Sequence, residues 1–178
     1  MIIYREMAVE GMTLSAAAEE GAVTLIHFDS AENVPLRLKQ LYRDSQLDFK
    51  QGSTPLLDQL ETELRDYFQS QRKQFTVPLK LIGTPFQQAV WKQLAAIPYG
   101  ETRSYKEVAE MTGSPKAVRA VGGANNRNPL PIVIPCHRVI GANGALVGYG
   151  GGLEWKKRLL SIESAEKLHH ETVYAKSN

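Results

Sequence analysis

Apolar and polar residues alternate in three short runs near the amino terminus, 2–7, 12–18 and 22–28, separated by the turn formers Glu10, Gly11 and Glu19 to Gly21. A period of two predicts three antiparallel strands in a small meander. Residues 31–50 are mixed, with a helix opening over Pro35 to Tyr42. Thr54 then offers an N-cap and Pro55 a first helical position, after which Leu57, Leu60, Leu64, Tyr67 and Phe68 recur at helical spacing. The polar stretch 69–74 leads to an expected edge strand over 75–81, interrupted by Pro78, which has no N–H to give to a sheet interior.

Beyond residue 81 the pattern turns helical. Thr84, Pro85 and Gln87 form a capping box, and Phe86, Val90, Leu94 and Ile97 make one apolar stripe that ends at Pro98-Tyr99-Gly100. Ser104 and Glu107 form a second box, opening a short helix with Val108 and Ala109 that stops near Gly113. The next helix is expected from Pro115 to about Asn125, the spacing of a helix-turn-helix with its recognition helix second. Ala117, Ala120, Gly122, Gly123 and Ala124 leave that helix nearly bare around Arg119. Helical glycine costs about 1 kcal/mol relative to alanine, so either tight core packing or close approach to another surface must compensate. Val139 and Ile140 read as a strand, 141–144 as a turn, 145–149 as a return strand and 148–152 as a glycine loop. A last helix runs from about Leu153 to Glu163, with Glu163 on its apolar face. The organisation is 1–80, 81–163 and a tail, 164–178, whose His169 and His170 read as part of a loosely packed terminus.

Charge sharpens this division. Residues 1–80 carry nine Lys and Arg against twelve Asp and Glu, and residues 81–163 carry ten against five, so a polyanion would be met by the second part. No apolar run approaches the roughly 20 residues that span a bilayer, and no cleavable leader pattern opens the chain. The single cysteine, Cys136, excludes an internal disulfide and a cysteine-rich zinc site. The expectation is a soluble intracellular protein in which a free thiol survives.

Cys136 sits in Asn128 to Ile140, NPLPIVIPCHRVI. Pro129, Pro131 and Pro135 forbid a regular helix or central strand ahead of it and suggest a stiff, extended path. His137 and Arg138 follow directly, and an imidazole and a cation beside a thiol favour the reactive thiolate. PCHRVI, with Asn128 upstream and GYGGG downstream, resembles the acceptor-site signature of the O6-alkylguanine-DNA alkyltransferases. The resemblance covers about Thr84 to Glu163; the amino-terminal part matches only in length and coarse pattern.

That resemblance implies an α/β (α+β) protein with a ribonuclease-H-like amino-terminal sheet and a mostly helical carboxyl-terminal domain bearing a winged helix-turn-helix. It implies single-use transfer of an alkyl group from guanine O6 in double-stranded DNA to Cys136, without metal or organic cofactor. His137 and Glu163 match a cysteine, water, histidine, glutamate relay. Tyr105 matches the tyrosine that crowds the 3′ phosphate and donates a proton toward guanine N3. Arg119 matches the finger that fills the vacated stack, and the small-faced helix with Ala117, Ala120, Gly122 and Gly123 matches a minor-groove reader. Pro131, Val139, Tyr149, Gly150 and Gly151 match the pocket walls, with Gly150, where some members have serine, expected to enlarge the pocket. Asn128 matches a structural tie between the recognition helix and the active-site turn. A cytoplasmic monomer is expected, nuclear in a eukaryote, with cooperative binding on DNA left open.

Three alternatives are weighed. A lesion-binding relative without transfer would replace the cysteine, and Cys136 argues against it. A thiol hydrolase or transferase on a small molecule would turn over and ignore DNA. A helix-turn-helix regulator would bind an operator and dispense with the thiol.

Overall fold

The structure, a computed structural model, describes residues 1–146 and 148–164; His169 and His170 lie outside them. The chain divides into two compact units, Met1–Gln88 with Pro129–Pro131, and Ala89–Asn128 with Ile132–Asn178. The division thus falls inside a helix at Gln88, somewhat beyond the change of pattern at residue 81, and a proline-bounded tripeptide returns to the first unit.

In the first unit, strands β1 (Ile2–Val9), β2 (Met12–Glu19) and β3 (Ala22–His27) form the expected antiparallel meander. A three-residue strand, β4 (Phe49–Gln51), joins β1 in parallel and completes the order β3-β2-β1-β4. Three residues are too few to show a period, so β4 has no signature in the sequence. Helix α1 (Val34–Tyr42) covers one face, where Val34 and Leu38 pack with Ile2, Ala17 and Leu25. The opposite face meets α2 (Pro55–Phe68), capped by the Thr54 hydroxyl on the Leu57 amide at 3.2 Å. Arg5 reaches Asp58 and Glu61 of α2 at 3.0 and 2.6 Å. β2 therefore has both faces buried, and its three consecutive alanines let both helices approach closely.

The expected strand over 75–81 is not formed. Its regular pairing reduces to one parallel bridge, Val23 with Leu79, in which Val23 donates to the Pro78 carbonyl and Lys80 donates back to Val23. Pro78 contributes a carbonyl and no N–H, so the ladder goes no further. Further along β3, Ile26 donates to the Pro129 carbonyl at 2.9 Å, which accounts for the tripeptide's membership of this unit. The 72–77 segment is held instead by a buried carboxylate. Glu63 of α2, 2% exposed, accepts from the Thr76 amide at 2.9 Å, from Gln59 at 3.1 Å, and also from the Thr76 hydroxyl.

The second unit is mostly helical. It takes the later part of α3 (Pro85–Ala95), then α4 (Tyr105–Met111), α5 (Val118–Asn126) and α6 (153–164). Both capping boxes form, at Thr84 with Gln87 and at Ser104 with Glu107. The buried stripe of α3 and its exit is Val90, Trp91, Leu94 and Ile97, while Phe86 is only half-buried. The Trp91 indole donates to the Ala124 carbonyl at 2.8 Å, fixing α5 against α3. Gly113, at φ +80°, makes the turn between α4 and α5.

Two expectations are corrected here. α5 begins at Val118 and not at Pro115, because the Ala117 amide bonds to the Ser114 carbonyl and closes a separate turn, leaving Ala117 as N-cap with ψ 35°. The return strand over 145–149 is absent among the described residues. β6 (Val139–Ile140) pairs in parallel with β5 (Arg103–Ser104), and only the Gly141 amide meets the Ala145 carbonyl, at 2.8 Å.

Burial works to raise the Glu63 carboxyl pKa, but hydrogen bonds from Thr76 and Gln59 and the charge of Arg72 outweigh it and hold the group below the ordinary value. Glu63→Ala strands the amide of Thr76 and is expected to lower unfolding free energy at pH 7 by about 3 kcal/mol in urea denaturation. Because the folded pKa is depressed, the stabilisation is complete above the unfolded pKa and is lost as pH falls through the folded one. The gap between wild type and variant should therefore close in acid.

Candidate functional site

Cys136 opens a 3-10 turn, Cys136–Arg138, and is 3% exposed. The path into it is not extended. Residues 131–134 form turns, and Ile132 stands at φ 73°, a conformation a β-branched side chain adopts at a cost of about 1–3 kcal/mol. The prolines block regular structure as expected, but the chain answers by folding tightly and not by stretching. Two asparagines hold the result. Asn128 Nδ2 donates to the Ile134 carbonyl at 2.8 Å, and Asn125 Nδ2 donates to the Cys136 carbonyl at 3.3 Å.

Behind the turn lies a buried charge cluster. Glu163 of α6, 2% exposed, accepts from His137 Nε2 at 2.9 Å and from Arg138 Nε at 2.9 Å, with Arg138 Nη2 on the same carboxylate. Arg138 Nη1 donates to the Ile97 carbonyl at 2.6 Å. Burial would raise the Glu163 carboxyl, but His137 and Arg138 outweigh it and hold its pKa down. Burial lowers the His137 pKa, helped by the charges of Arg138 and Lys156 and opposed by Glu163. A neutral ring beside a carboxylate must place its proton on Nε2, so Nδ1 is left as an acceptor; among the described residues it has no partner.

This geometry corrects one expectation. Arg138 follows the thiol in sequence, but its guanidinium is committed to Glu163 and Ile97. The cation that acts on the thiol is Lys156, which the sequence reading missed. It is fully buried on α6, donates to the Val139 carbonyl at 2.6 Å and lies 6.0 Å from the centre of the Tyr105 ring. Burial pushes the Cys136 thiol up to about 11, against hydrogen bonds from Asn128 and Tyr149 and the positive charge of Lys156. The resting thiol is therefore protonated at neutral pH. Lys156 was legible in principle: it shares with Leu159 and Glu163 the inward face of α6, and a charge on an apolar face asks for a partner.

The second unit brings Cys136, His137, Glu163, Tyr105, Tyr149 and Asn128 to one place. Tyr105, the first residue of α4, donates to the Gly148 carbonyl at 3.4 Å, and burial and the nearby thiol raise its pKa. Val139 is buried at β6 and offers its carbonyl to Lys156. Gly150 and Gly151 lie in the loop that follows Tyr149, and Pro131 is buried within the first unit. At Gly150 a Cβ would stand 2.9 Å from the Asn126 carbonyl oxygen, so glycine permits a close backbone approach.

Arg119 and Ala120 lie on the exposed face of α5, with Gly122 and Gly123 partly exposed and Ala117 at the N-cap. A Cβ on Gly123 would meet nothing within 4 Å, and one on Gly122 would only touch the Tyr105 ring at 4.0 Å. Packing among the described residues thus does not require glycine at either position.

Fold and site define a two-unit α/β protein whose second unit joins a helix-turn-helix to a buried thiol, imidazole and carboxylate. The sequence model of the family described as 6-O-methylguanine DNA methyltransferase, DNA binding domain, matches residues 85–165. The constitutive methylated-DNA–protein-cysteine methyltransferase of Bacillus subtilis is 47% identical over 151 residues, covering 84% of this chain and 88% of its own. The crystal structure of Mycobacterium tuberculosis O6-methylguanine methyltransferase superposes with a TM-score of 0.77 at 41% identity, over 93% of this chain and 94% of the other. A structure of Mycobacterium tuberculosis OGT in complex with DNA gives 0.75 at 40%, over 92% and 93%. This chain belongs to the methylated-DNA–protein-cysteine methyltransferase family.

With the thiol at about 11, modification of Cys136 by iodoacetamide is expected to quicken about tenfold per pH unit from pH 7 to 10. Lys156→Met removes the adjacent positive charge and should displace that profile to higher pH; an unmoved profile would show that the ammonium does not act on the sulfur.

Proposed function

We propose that the protein repairs O6-alkylguanine in double-stranded DNA by moving the alkyl group to Cys136, once per molecule. The observation that carries this reading is the buried thiol placed in one compact unit with the His137 and Glu163 pair, next to a helix whose outer face is small and basic. The O6 group of a stacked guanine is hidden, so the nucleotide must leave the duplex, at a cost of a few kcal/mol. Arg119, exposed and in no ion pair among the described residues, is suited to fill the gap. The small face of α5 suits the minor groove, about 6 Å wide, where larger side chains would hold the helix off.

Attack is at a saturated carbon and needs a thiolate. His137 Nδ1 takes the thiol proton, directly or through a water, and Glu163 stabilises the imidazolium that results. Sulfur bonds to the alkyl carbon, the carbon–O6 bond breaks, and its electron pair passes into the guanine ring. Tyr105 gives that ring a proton at N3, and the phenolate recovers one from the imidazolium. The thioether is not reversed, so each protein acts once, in the cytoplasm, where its thiol stays reduced. A lone buried thiol with a protonated resting state suits a stoichiometric acceptor better than a hydrolase nucleophile that must turn over.

Mass spectrometry of the intact protein after incubation with a duplex carrying O6-methylguanine should show a single methyl increment, mapped to the Cys136 peptide. Cys136→Ala should show none while still binding the duplex; loss of binding as well would count against the assignment of the nucleophile. For the helix face, Gly123→Ala should stabilise the fold by about 0.5–1 kcal/mol in thermal unfolding. The same change should weaken duplex binding about fivefold by titration, equivalent to roughly 1 kcal/mol. A variant both stabler and unimpaired in binding would remove α5 from the interface.

A further inference from the structure

Gly150 follows the buried Tyr149 in an exposed loop, and its need for glycine is of one kind only. Gly148 and Gly152 of the same loop stand at φ +59° and +95°, whereas Gly150 is not in the left-handed region. Backbone conformation therefore does not keep a side chain out of position 150. Space does: the 2.9 Å from a Cβ to the Asn126 carbonyl oxygen is well inside ordinary van der Waals contact.

Asn126 is the last residue of α5, and it meets the loop at two points. Its carbonyl underlies Gly150. Its side-chain amide borders Gly148, where a Cβ would stand 3.4 Å from Oδ1 and 3.5 Å from Nδ2. Tyr105 of α4 reaches the same glycine, its hydroxyl donating to the Gly148 carbonyl at 3.4 Å. Both helices of the helix-turn-helix thus seat one loop. The end of α5 is held against a push from position 150, because the Trp91 indole bonds to the Ala124 carbonyl at 2.8 Å and the Asn125 amide to the Cys136 carbonyl at 3.3 Å. The Arg127 amide also returns to the Gly123 carbonyl, at 3.1 Å. The loop is the part that yields. The Gly152 amide closes it on the Tyr149 carbonyl at 3.0 Å, so a push at position 150 displaces the turn as one piece.

We propose that Gly150 is the positioning residue that seats this loop on the last residue of α5, keeping the base pocket in register with the helix that meets the duplex. This rests on the repair reading above, with the loop from Tyr149 to Gly151 receiving the alkylated base. A single methyl group at position 150 lifts the loop from the helix and loosens its hold on the base, while α5 and the thiol stay where they are.

The test is single-turnover transfer from a duplex carrying one O6-methylguanine, with protein in excess, followed as a function of protein concentration for wild type and Gly150→Ala. The half-saturating concentration reports the hold of α5 on the duplex, and the limiting rate reports the placement of the base against the thiol. The limiting rate is expected to fall about tenfold in Gly150→Ala, with the half-saturating concentration unchanged. Iodoacetamide, which needs no base pocket, should modify Cys136 of both proteins at the same rate. Gly150→Ser, with a larger group in the same space, should lose at least as much as the alanine variant. A limiting rate equal to wild type in either variant would overturn the proposal. So would a raised half-saturating concentration, which would show that the helix and not the loop gave way, or an equal slowing with iodoacetamide, which would place the fault at the thiol. If the wild type itself takes no methyl group from the duplex, the repair reading fails first and this inference falls with it.

Discussion

A buried carboxylate shared by two partners is the interaction on which the second unit depends. Removing a carboxylate and a guanidinium from water costs several kcal/mol per ion, and only close, well-formed hydrogen bonds return it. Glu163 meets that condition with the Arg138 guanidinium and the His137 ring together. Because Arg138 also binds the Ile97 carbonyl, one carboxylate ties α6, the exit of α3 and the cysteine turn to each other. It also decides the tautomer of His137, since a ring that gives its Nε2 proton to Glu163 leaves Nδ1 as an acceptor. The same contacts that stabilise this unit set its proton chemistry.

The thiol illustrates how reactivity and protection can be combined. A buried cysteine kept protonated resists casual electrophiles and oxidants, which attack the thiolate. A protein that reacts once gains from that restraint, because any adventitious modification consumes it. The Lys156 charge, which favours the thiolate, is nonetheless built in beside the thiol. The strained Ile132 and the two asparagine ties show that holding the turn in this shape has a cost, met by packing and hydrogen bonding nearby.

Much of the fold was legible from local chemistry. The meander and α2 followed from alternation, helical periodicity, a capping threonine and a proline at the first turn, each of which acts within a few residues. The failures share a cause. Whether 75–81 or 145–149 pairs as a strand depends on which distant edge it meets, and the extent of β4 and the start of α5 depend on single long-range or turn hydrogen bonds.

The sequence by itself determined which chemistry was available: one thiol, an imidazole and a guanidinium following it, a carboxylate on an apolar helix face, and a helix stripped of side chains around one arginine. Covalent neighbours, spacing and residue type are enough for that. Only the tertiary structure decided which of these groups serve one another. It turned Arg138 toward Glu163, set the Lys156 charge beside the thiol, tied Asn125 to the Cys136 carbonyl, and set Gly150 against the Asn126 carbonyl. Those pairings arise because hydrogen bonds and burial select partners by direction and distance in space, and residues far apart along the chain carry no record of where their side chains will meet.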